Sequence, residues 1–124
     1  MSLPHPIPEE LIALITHRFH LLGEPMRLRL LDRLRDGEAT VQELAGELET
    51  SQQNVSKHLA MLTDAAILAR RKDGTHVHYR IGDDEILGLC EQMCGSLEHQ
   101  LRGLAALVDD FAARPVALNP QPME

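Results

Sequence analysis

The two cysteines of the chain, Cys90 and Cys94, lie four positions apart in the stretch LCEQMC. On a helix this spacing places both sulfur atoms on one face, one turn apart. Two such thiolates can chelate a soft metal or metalloid ion together with a third ligand, or they can react with an oxidant. A disulfide within the pair is disfavoured, because Cβ atoms one turn apart are separated by about 5–6 Å, against about 3.5–4.5 Å in a disulfide. The alternative is structural: free cysteine is often buried, and Cys90 falls on an apolar stripe.

Composition predicts one mainly helical domain around this pair. The chain has 124 residues, of which 44% are hydrophobic and only 2% aromatic, so aliphatic side chains must build the core and few strands are expected. Proline-rich segments flank the domain: residues 1–8 are predicted as an N-terminal arm and 113–124 as a disordered tail, which leaves 9–112 for the fold. The chain has no run of about 18 apolar residues and no visible secretory signal, so we expect a cytoplasmic protein without a membrane span.

Apolar spacing predicts the helices near both ends of the domain. Apolar residues recur at helical intervals over 9–22. Pro25 suits the first turn of a second helix, since its missing N–H would be unpaired there, and Asp36-Gly37 stops that helix. Four arginines separate the leucines of this second helix: Arg27, Arg29, Arg33 and Arg35. A long last helix over 84–112 carries the cysteine pair.

Two short helices follow one another in the middle of the chain. Thr40 and Glu43 form a capping-box pattern, which is a sound helix start. After a polar break at Glu49-Thr50, the stretch SQQNVSKHLAML has Val55, Leu59 and Leu62 on one side, which we expect to face inward. Two close helices joined by a short polar turn are typical of a helix-turn-helix.

A basic β-hairpin is predicted next. Asp73-Gly74 is a strong turn signal, and after it His76, His78 and Arg80 alternate with apolar residues, as on a strand. Residues 50–82 carry five basic and two acidic groups, whereas the whole chain has a net charge of −7. A basic segment in an acidic chain is expected where one surface meets phosphates, although a solvated hairpin would have the same composition.

Taken in order, these elements resemble the ArsR/SmtB family of bacterial transcriptional regulators. The resemblance is carried by LLGEPMRLRLLDRL (21–34), TVQELAGELETSQQNVSKHLAML (40–62) and RRKDGTHVHYRI (70–81), and it spans roughly residues 10–110. It implies a winged helix-turn-helix fold, mainly α with a small β-hairpin. It also implies a homodimer joined by the first and last helices, which binds double-stranded operator DNA as a repressor and releases it when a small ion inducer binds.

The resemblance assigns DNA contacts to two segments. The recognition helix begins near Ser51, and its polar positions, expected to be exposed, are Ser51, Gln52, Gln53, Asn54, Ser56, Lys57 and His58. Glutamine and asparagine can make two hydrogen bonds to adenine, whereas lysine meets a phosphate or a guanine edge. The second segment is the predicted β-hairpin of residues 70–81, which is called the wing in this fold. Its residues Arg70, Arg71 and Lys72 are expected to contact the DNA backbone or minor groove. The alternative for the helix is that its polar residues only form a solvated face. The alternative for the hairpin is that its cations are ordinary surface charges without a DNA contact.

The resemblance also implies metal ligands on the last helix, in a site that is shared across the dimer. The family pattern there is Asp-x-His, then ten residues, then His-x-x-His or His-x-x-Glu. The matching positions are Asp83, Glu85, Ser96 and His99. Serine is a poor ligand, so Asp83, Glu85 and His99 remain as an oxygen-rich candidate site for a transition metal such as nickel or zinc. The alternative is a helix-capping Asp83 and a surface His99.

The family's other site, a cysteine motif beside the recognition helix, is absent, because the corresponding stretch ELETSQQN has no cysteine. The resemblance also implies a second possibility, since family members place arsenic-binding or redox cysteines on the last helix at varied positions; Cys90 and Cys94 are the candidates for As(III) here.

Three functions compete for this sequence. The first is a DNA-binding regulator that responds to a metal, a metalloid or an oxidant. The second is a regulator with a decayed sensor site, which acts with a partner protein or as an activator. The third is a thiol oxidoreductase, which is disfavoured because the cysteines are spaced CxxxC rather than CxxC and no βαβ pattern surrounds them. We therefore predict a protein that is not an enzyme.

Overall fold

The computed structural model describes residues 2–110; the end of the predicted domain at 111–112 and the predicted tail at 113–124 lie outside this range. The elements are α1 (Glu9–Leu22), α2 (Pro25–Leu34), β1 (Ala39–Thr40), α3 (Val41–Glu47), α4 (Gln52–Asp64), β2 (Leu68–Asp73), β3 (His76–Ile81) and α5 (Asp84–Asp110). Their order confirms the predicted winged helix-turn-helix. The chain divides into two compact units, one up to Asp84 and one from Glu85 onward.

The first unit is built on an aliphatic core that α2, α3, α4 and the sheet share. Helix α4 packs against α2, α3 and β2. Its inward side consists of Val55, Leu59 and Leu62, which are fully buried, as predicted. Burying side chains of this size stabilises the fold by about 1.5–3 kcal/mol each, so the core fixes which face of α4 meets solvent.

The sheet differs from the prediction in two respects. It has three antiparallel strands in the order β1-β3-β2, and the two-residue strand β1 was not predicted. The hairpin loop is Gly74-Thr75, because Asp73 pairs with His76 across the two strands. The turn therefore lies one residue later than the Asp73-Gly74 signal indicated. Gly74 has a φ of 61°, a conformation that glycine adopts without a steric penalty.

Local capping sets both ends of the short helices. The Thr40 side chain accepts a hydrogen bond from the Glu43 amide while the Glu43 carboxylate accepts one from the Thr40 amide, so the predicted capping box is present. Two residues after the ends of α3 and α4 the backbone takes a left-handed conformation, at Glu49 and Ala66 respectively. The amide that follows each of them donates back into the helix, as in a Schellman motif.

The second unit consists of α5 in its described part. Its 27 residues extend for about 40 Å. Six large apolar side chains recur along it at intervals of three or four residues and are exposed: Leu89, Met93, Leu97, Leu101, Leu104 and Leu107. No helix within residues 2–110 is both long enough and apolar enough to cross a membrane.

Candidate nucleic-acid interface and thiol pair

The solvent-facing side of α4 is polar. Gln52, Gln53, Ser56 and Lys57 are exposed, and so is Ser51, which caps the helix. Gln53 and Lys57 lie opposite the buried row of α4, and the other exposed side chains flank them at the start of the helix. One side of the helix is therefore packed in the core, while the solvent side presents amides, a hydroxyl and an ammonium group. The structure therefore brings together most of the predicted recognition residues.

The turn between α3 and α4 is held by its own hydrogen bonds. The Ser51 hydroxyl accepts a hydrogen bond from the backbone N–H of Asn54 at 3.0 Å. The half-buried side-chain amide of Asn54 donates a second hydrogen bond to the Thr50 hydroxyl at 3.1 Å. The Thr50 amide donates to the Ala45 carbonyl at 3.1 Å, which closes the left-handed turn at Glu49. Together these bonds fix the direction in which α4 leaves α3.

His58 does not lie on the exposed face, so that part of the prediction is wrong. It is only 6% exposed, and its Nδ1 lies 3.1 Å from an Nη1 of Arg27, which is 5% exposed. A second contact brings Nε2 of His58 to 3.9 Å from Oε2 of Glu24. His58 turns inward because Arg27 lies where α1, α2 and α4 meet and hydrogen-bonds the histidine there.

Arg27 distributes its hydrogen-bond donors over two helices. Its Nε donates to the Leu21 carbonyl and its Nη2 to the His20 carbonyl at 3.3 Å, both in the last turn of α1. Its Nη1 reaches Nδ1 of His58 and, at 3.5 Å, Sδ of Met61 on α4. The guanidinium thus donates hydrogen bonds to two carbonyl groups at the end of α1 and contacts the middle of α4. No local sequence signal predicts the contact with α4, since His58 and Met61 lie 31 and 34 positions away in the chain.

The wing cations are divided between the two faces of the hairpin. Arg70 pairs with Tyr79 and Arg71 with His78 across the strands, so Arg70 and Lys72 share one face and Arg71 lies on the other. Arg71 forms an ion pair with Glu38 and a longer one, at 3.7 Å, with Asp73. The hydrogen bond from Arg71 lowers the pKa of the Glu38 carboxyl. The positive charge of Arg71 is therefore partly offset by its own chain.

Both cysteines are free thiols on α5. Cys90 is half-buried and Cys94 is exposed. Because Cys94 is exposed, it is not a core residue within the described part of this chain. For the half-buried Cys90, both a structural role and a role as a sensor thiol remain possible. The sulfur pair lies next to Leu89 and Met93 of the exposed apolar row, so a second surface that covers this row would reach the thiols as well.

The predicted metal ligands are not gathered in one chain. Within residues 2–110, no three histidine, cysteine or acidic side chains form a cluster able to hold a metal ion. Glu85 and His99 are 14 positions apart on α5, which is about 21 Å of helix. Asp83 is bound by Arg18, whose guanidinium also donates to the Ala65 carbonyl at 2.9 Å, just after α4. A metal at Asp83 would have to compete with this arginine.

Comparison with known proteins gives the family. A model described as a helix-turn-helix domain matches residues 22–71. The transcriptional regulator KmtR of Mycobacterium tuberculosis is 32% identical over 101 residues, which cover 82% of this chain and 78% of that protein. The arsenical resistance operon repressor of Bacillus subtilis is 31% identical over 87 residues, or 68% and 83% of the two chains.

The chain belongs to the ArsR/SmtB family. It is accordingly a DNA-binding transcriptional regulator, in a family of regulators rather than enzymes. The fold agrees with that of a homodimeric winged helix-turn-helix DNA-binding domain from Mycobacterium bovis, a possible ArsR-family regulator. The two are 23% identical with a TM-score of 0.69, and the match covers 82% of this chain and 94% of that one.

Proposed function

We propose that this ArsR/SmtB member is a homodimeric repressor that reads operator DNA with α4, and that a soft ion bound at Cys90 and Cys94 changes its affinity for DNA. The observation that carries the DNA-reading part is the division of α4 into a fully buried apolar side and an exposed polar side. A helix-turn-helix places the N-terminal part of its second helix against base edges in the major groove. The exposed side chains of α4 are concentrated there.

Within this interface the residue types suit different kinds of DNA contact. Gln52 and Gln53 can each offer a donor and an acceptor to adenine, whereas Lys57 neutralises a phosphate or donates to a guanine edge. Arg70 and Lys72, on one face of the wing, supply sequence-independent phosphate contacts. Arg71 is a weaker candidate, since Glu38 and Asp73 already bind it.

Gln53→Ala tests the reading role of α4. We expect it to weaken binding to a duplex selected from a random library by about 1–3 kcal/mol, and to change binding to random duplex much less. Gln100→Ala is the matched control, because it removes the same exposed side chain from α5. Fluorescence anisotropy on both duplexes measures the two effects, and equal losses for Gln53→Ala on both would contradict the assignment.

The sensing part of the proposal depends on the thiol pair. Soft thiolate ligands select soft ions, and the spacing allows both sulfur atoms to bind one ion with a third ligand from a second subunit. The exposure of Cys94 supports access from solvent. The similarity to an arsenical resistance repressor supports As(III) as the first ion to test. An oxidant would act on the same two sulfur atoms.

The alternative ligands are less favourable. Arg18 forms an ion pair with Asp83, and Ser96, which stands at one of the four family positions, is a poor metal ligand. We therefore rank nickel or zinc at Asp83, Glu85 and His99 below a soft ion at the thiols.

A panel of ions tests the sensing part. The reduced protein is titrated with the selected duplex in the presence of As(III), Cd(II), Zn(II) or Ni(II), and the titrations are repeated with Cys90→Ser/Cys94→Ser and with Glu85→Gln/His99→Asn. We expect As(III) or Cd(II) to lower operator affinity in the wild type and in the second variant only. A response to Zn(II) or Ni(II) that is lost in Glu85→Gln/His99→Asn would assign sensing to the carboxylate and histidine site instead. No response to any ion would favour a regulator with a decayed sensor.

A further inference from the structure

Arg27 and His58 are the two charged or titratable residues buried in the described part of the chain. They touch each other, and between them they connect the end of α1, the start of α2 and the middle of the DNA-reading helix α4. Lys57, an exposed side chain that we propose contacts DNA, is the immediate neighbour of His58 in the sequence. A buried polar contact so close to the reading surface requires a physical explanation beyond packing.

The hydrogen-bond chemistry fixes the state of His58. The guanidinium of Arg27 has only donors and does not deprotonate in proteins, so Nδ1 of His58 must accept the bond that Nη1 donates at 3.1 Å. The histidine is therefore neutral in this arrangement and carries its proton on Nε2, on the side of the Glu24 carboxylate. A second proton would remove the acceptor at Nδ1 and place two cations against each other in a buried site.

We propose that neutral His58 is a positioning residue for DNA reading. Together with Arg27 it fixes the angle between α4 and the helices α1 and α2, and so the direction of the exposed face of α4. Protonation of His58 below neutral pH breaks its hydrogen bond with Arg27 and weakens operator binding. The inference rests on the proposed role of α4 in reading DNA. It assigns to the regulator a pH response that does not depend on the ion-sensing residues.

Burial lowers the pKa of His58 below its ordinary value of 6.5, and the nearby charges of Arg27 and Lys57 act in the same direction, whereas Glu24 opposes them. A histidine with a lowered pKa binds fewer protons in the folded state than in the unfolded state. Its contribution to stability is fully present above pH 6.5 and is lost as the pH falls through the lower value of the folded protein. The expected loss of positioning therefore lies on the acid side of 6.5.

Surface histidines oppose this effect and so make it distinguishable. His76, near the tip of the wing, is an exposed histidine on the hairpin that we propose meets DNA. Added positive charge near DNA strengthens sequence-independent binding. A loss of operator affinity on acidification therefore cannot come from such groups and must come from a change within the protein.

The test follows operator affinity as a function of pH. Anisotropy titrations between about pH 5.5 and pH 8 use the duplex selected from a random library, and they compare the wild type with His58→Asn, His58→Ala and His17→Asn. Asparagine keeps an acceptor near the position of Nδ1 but cannot be protonated, and His17→Asn removes an exposed histidine as the matched control.

We expect the wild type and His17→Asn to lose about tenfold in operator affinity across this range, which is the effect of one buried hydrogen bond. His58→Asn should lie within about threefold of the wild type at pH 8 and lack the pH dependence, and His58→Ala should be weaker throughout. A wild-type affinity that is flat or rises in acid would overturn the proposal, and so would a His58→Asn variant with the wild-type profile.

A measurement without DNA separates this inference from the proposed DNA-reading role. In the full wild-type chain, ¹⁵N NMR of the imidazole at neutral pH should show Nδ1 unprotonated and Nε2 protonated, and the signal should shift only below pH 6.5. A proton on Nδ1 would overturn the inference whether or not any duplex binds. The expected tautomer together with a failure to bind the selected duplex would instead refute the role of α4.

Discussion

Arg70, Arg71 and Lys72 are three consecutive cations of β2, but their surroundings differ. Arg71 is held by Glu38 and Asp73 on one face of the hairpin, whereas Arg70 and Lys72 share the other face. Each phosphate that a protein neutralises adds about one unit to the slope of log affinity against log salt. A cation that already has carboxylate partners gains less from a phosphate.

We therefore predict that Lys72→Ala lowers the salt slope for random duplex by about 1 and that Arg71→Ala lowers it by clearly less. Titrations at several salt concentrations measure both slopes. Arg102→Ala, which removes an exposed arginine paired with Glu98 on α5, is the control and should leave the slope unchanged. If Arg71→Ala produced the larger change, the wing would have to meet DNA with its other face.

The position of a single residue could be predicted from the sequence where the pattern that governs it is local. Val55, Leu59 and Leu62 were expected to face inward because they follow helical spacing, and they do. The exposure of His58 was predicted wrongly because it stands in a polar run, and its partner Arg27 lies 31 positions earlier. The ion pair between Glu38 and Arg71 was missed for the same reason, since it spans 33 positions.

The capping box that opens α3 gives a prediction for one element. The Thr40 hydroxyl accepts from the Glu43 amide at 3.2 Å, and without it one of the first amides of α3 loses its partner. We expect Thr40→Ala to lower the free energy of unfolding by about 1 kcal/mol. Urea unfolding at a fixed chain concentration measures this change. Thr40→Ser keeps the hydroxyl and is the control; a loss as large as that of Thr40→Ala would mean that strand pairing of β1, rather than the cap, sets the effect.

Among the elements, those with an end signal in their own residues could be predicted. Pro25, the Thr40–Glu43 pair and Ser51 each mark a helix start that the structure reproduces within one residue. β1 could not be predicted, because two residues cannot show an alternation and the strand exists only through its pairing with β3. The hairpin loop was placed one residue early because the pairing of Asp73 with His76, rather than the turn signal, determines the register.

At the scale of the whole molecule, two helices each carry large apolar side chains that are exposed in the single chain. Ile12, Leu14 and Phe19 on α1 are exposed, and so is the row of six large apolar side chains on α5. A row of exposed apolar side chains, such as that on α5, marks an interaction site. The family resemblance implies that the first and last helices join the subunits. We therefore predict that dimerisation covers the exposed apolar side chains of each of these helices.

A charge placed in the row tests this expectation. Leu101 is 55% exposed near the middle of the row, and a carboxylate there would have to be buried between subunits at a cost of several kcal/mol. We predict that Leu101→Glu shifts the protein from dimer to monomer in sedimentation equilibrium. It should also weaken operator binding by more than about a hundredfold, because a dimer contacts two half-sites and a monomer only one.

Gln100→Glu adds the same charge one position away and should keep both the dimer and the affinity. Circular dichroism must show unchanged helix content in both variants, so that loss of the dimer is not confused with unfolding. A Leu101→Glu protein that remains dimeric with full affinity would place the subunit contact elsewhere. It would also separate the thiol pair from the interface, and an ion at Cys90 and Cys94 would then need its third ligand from the same chain.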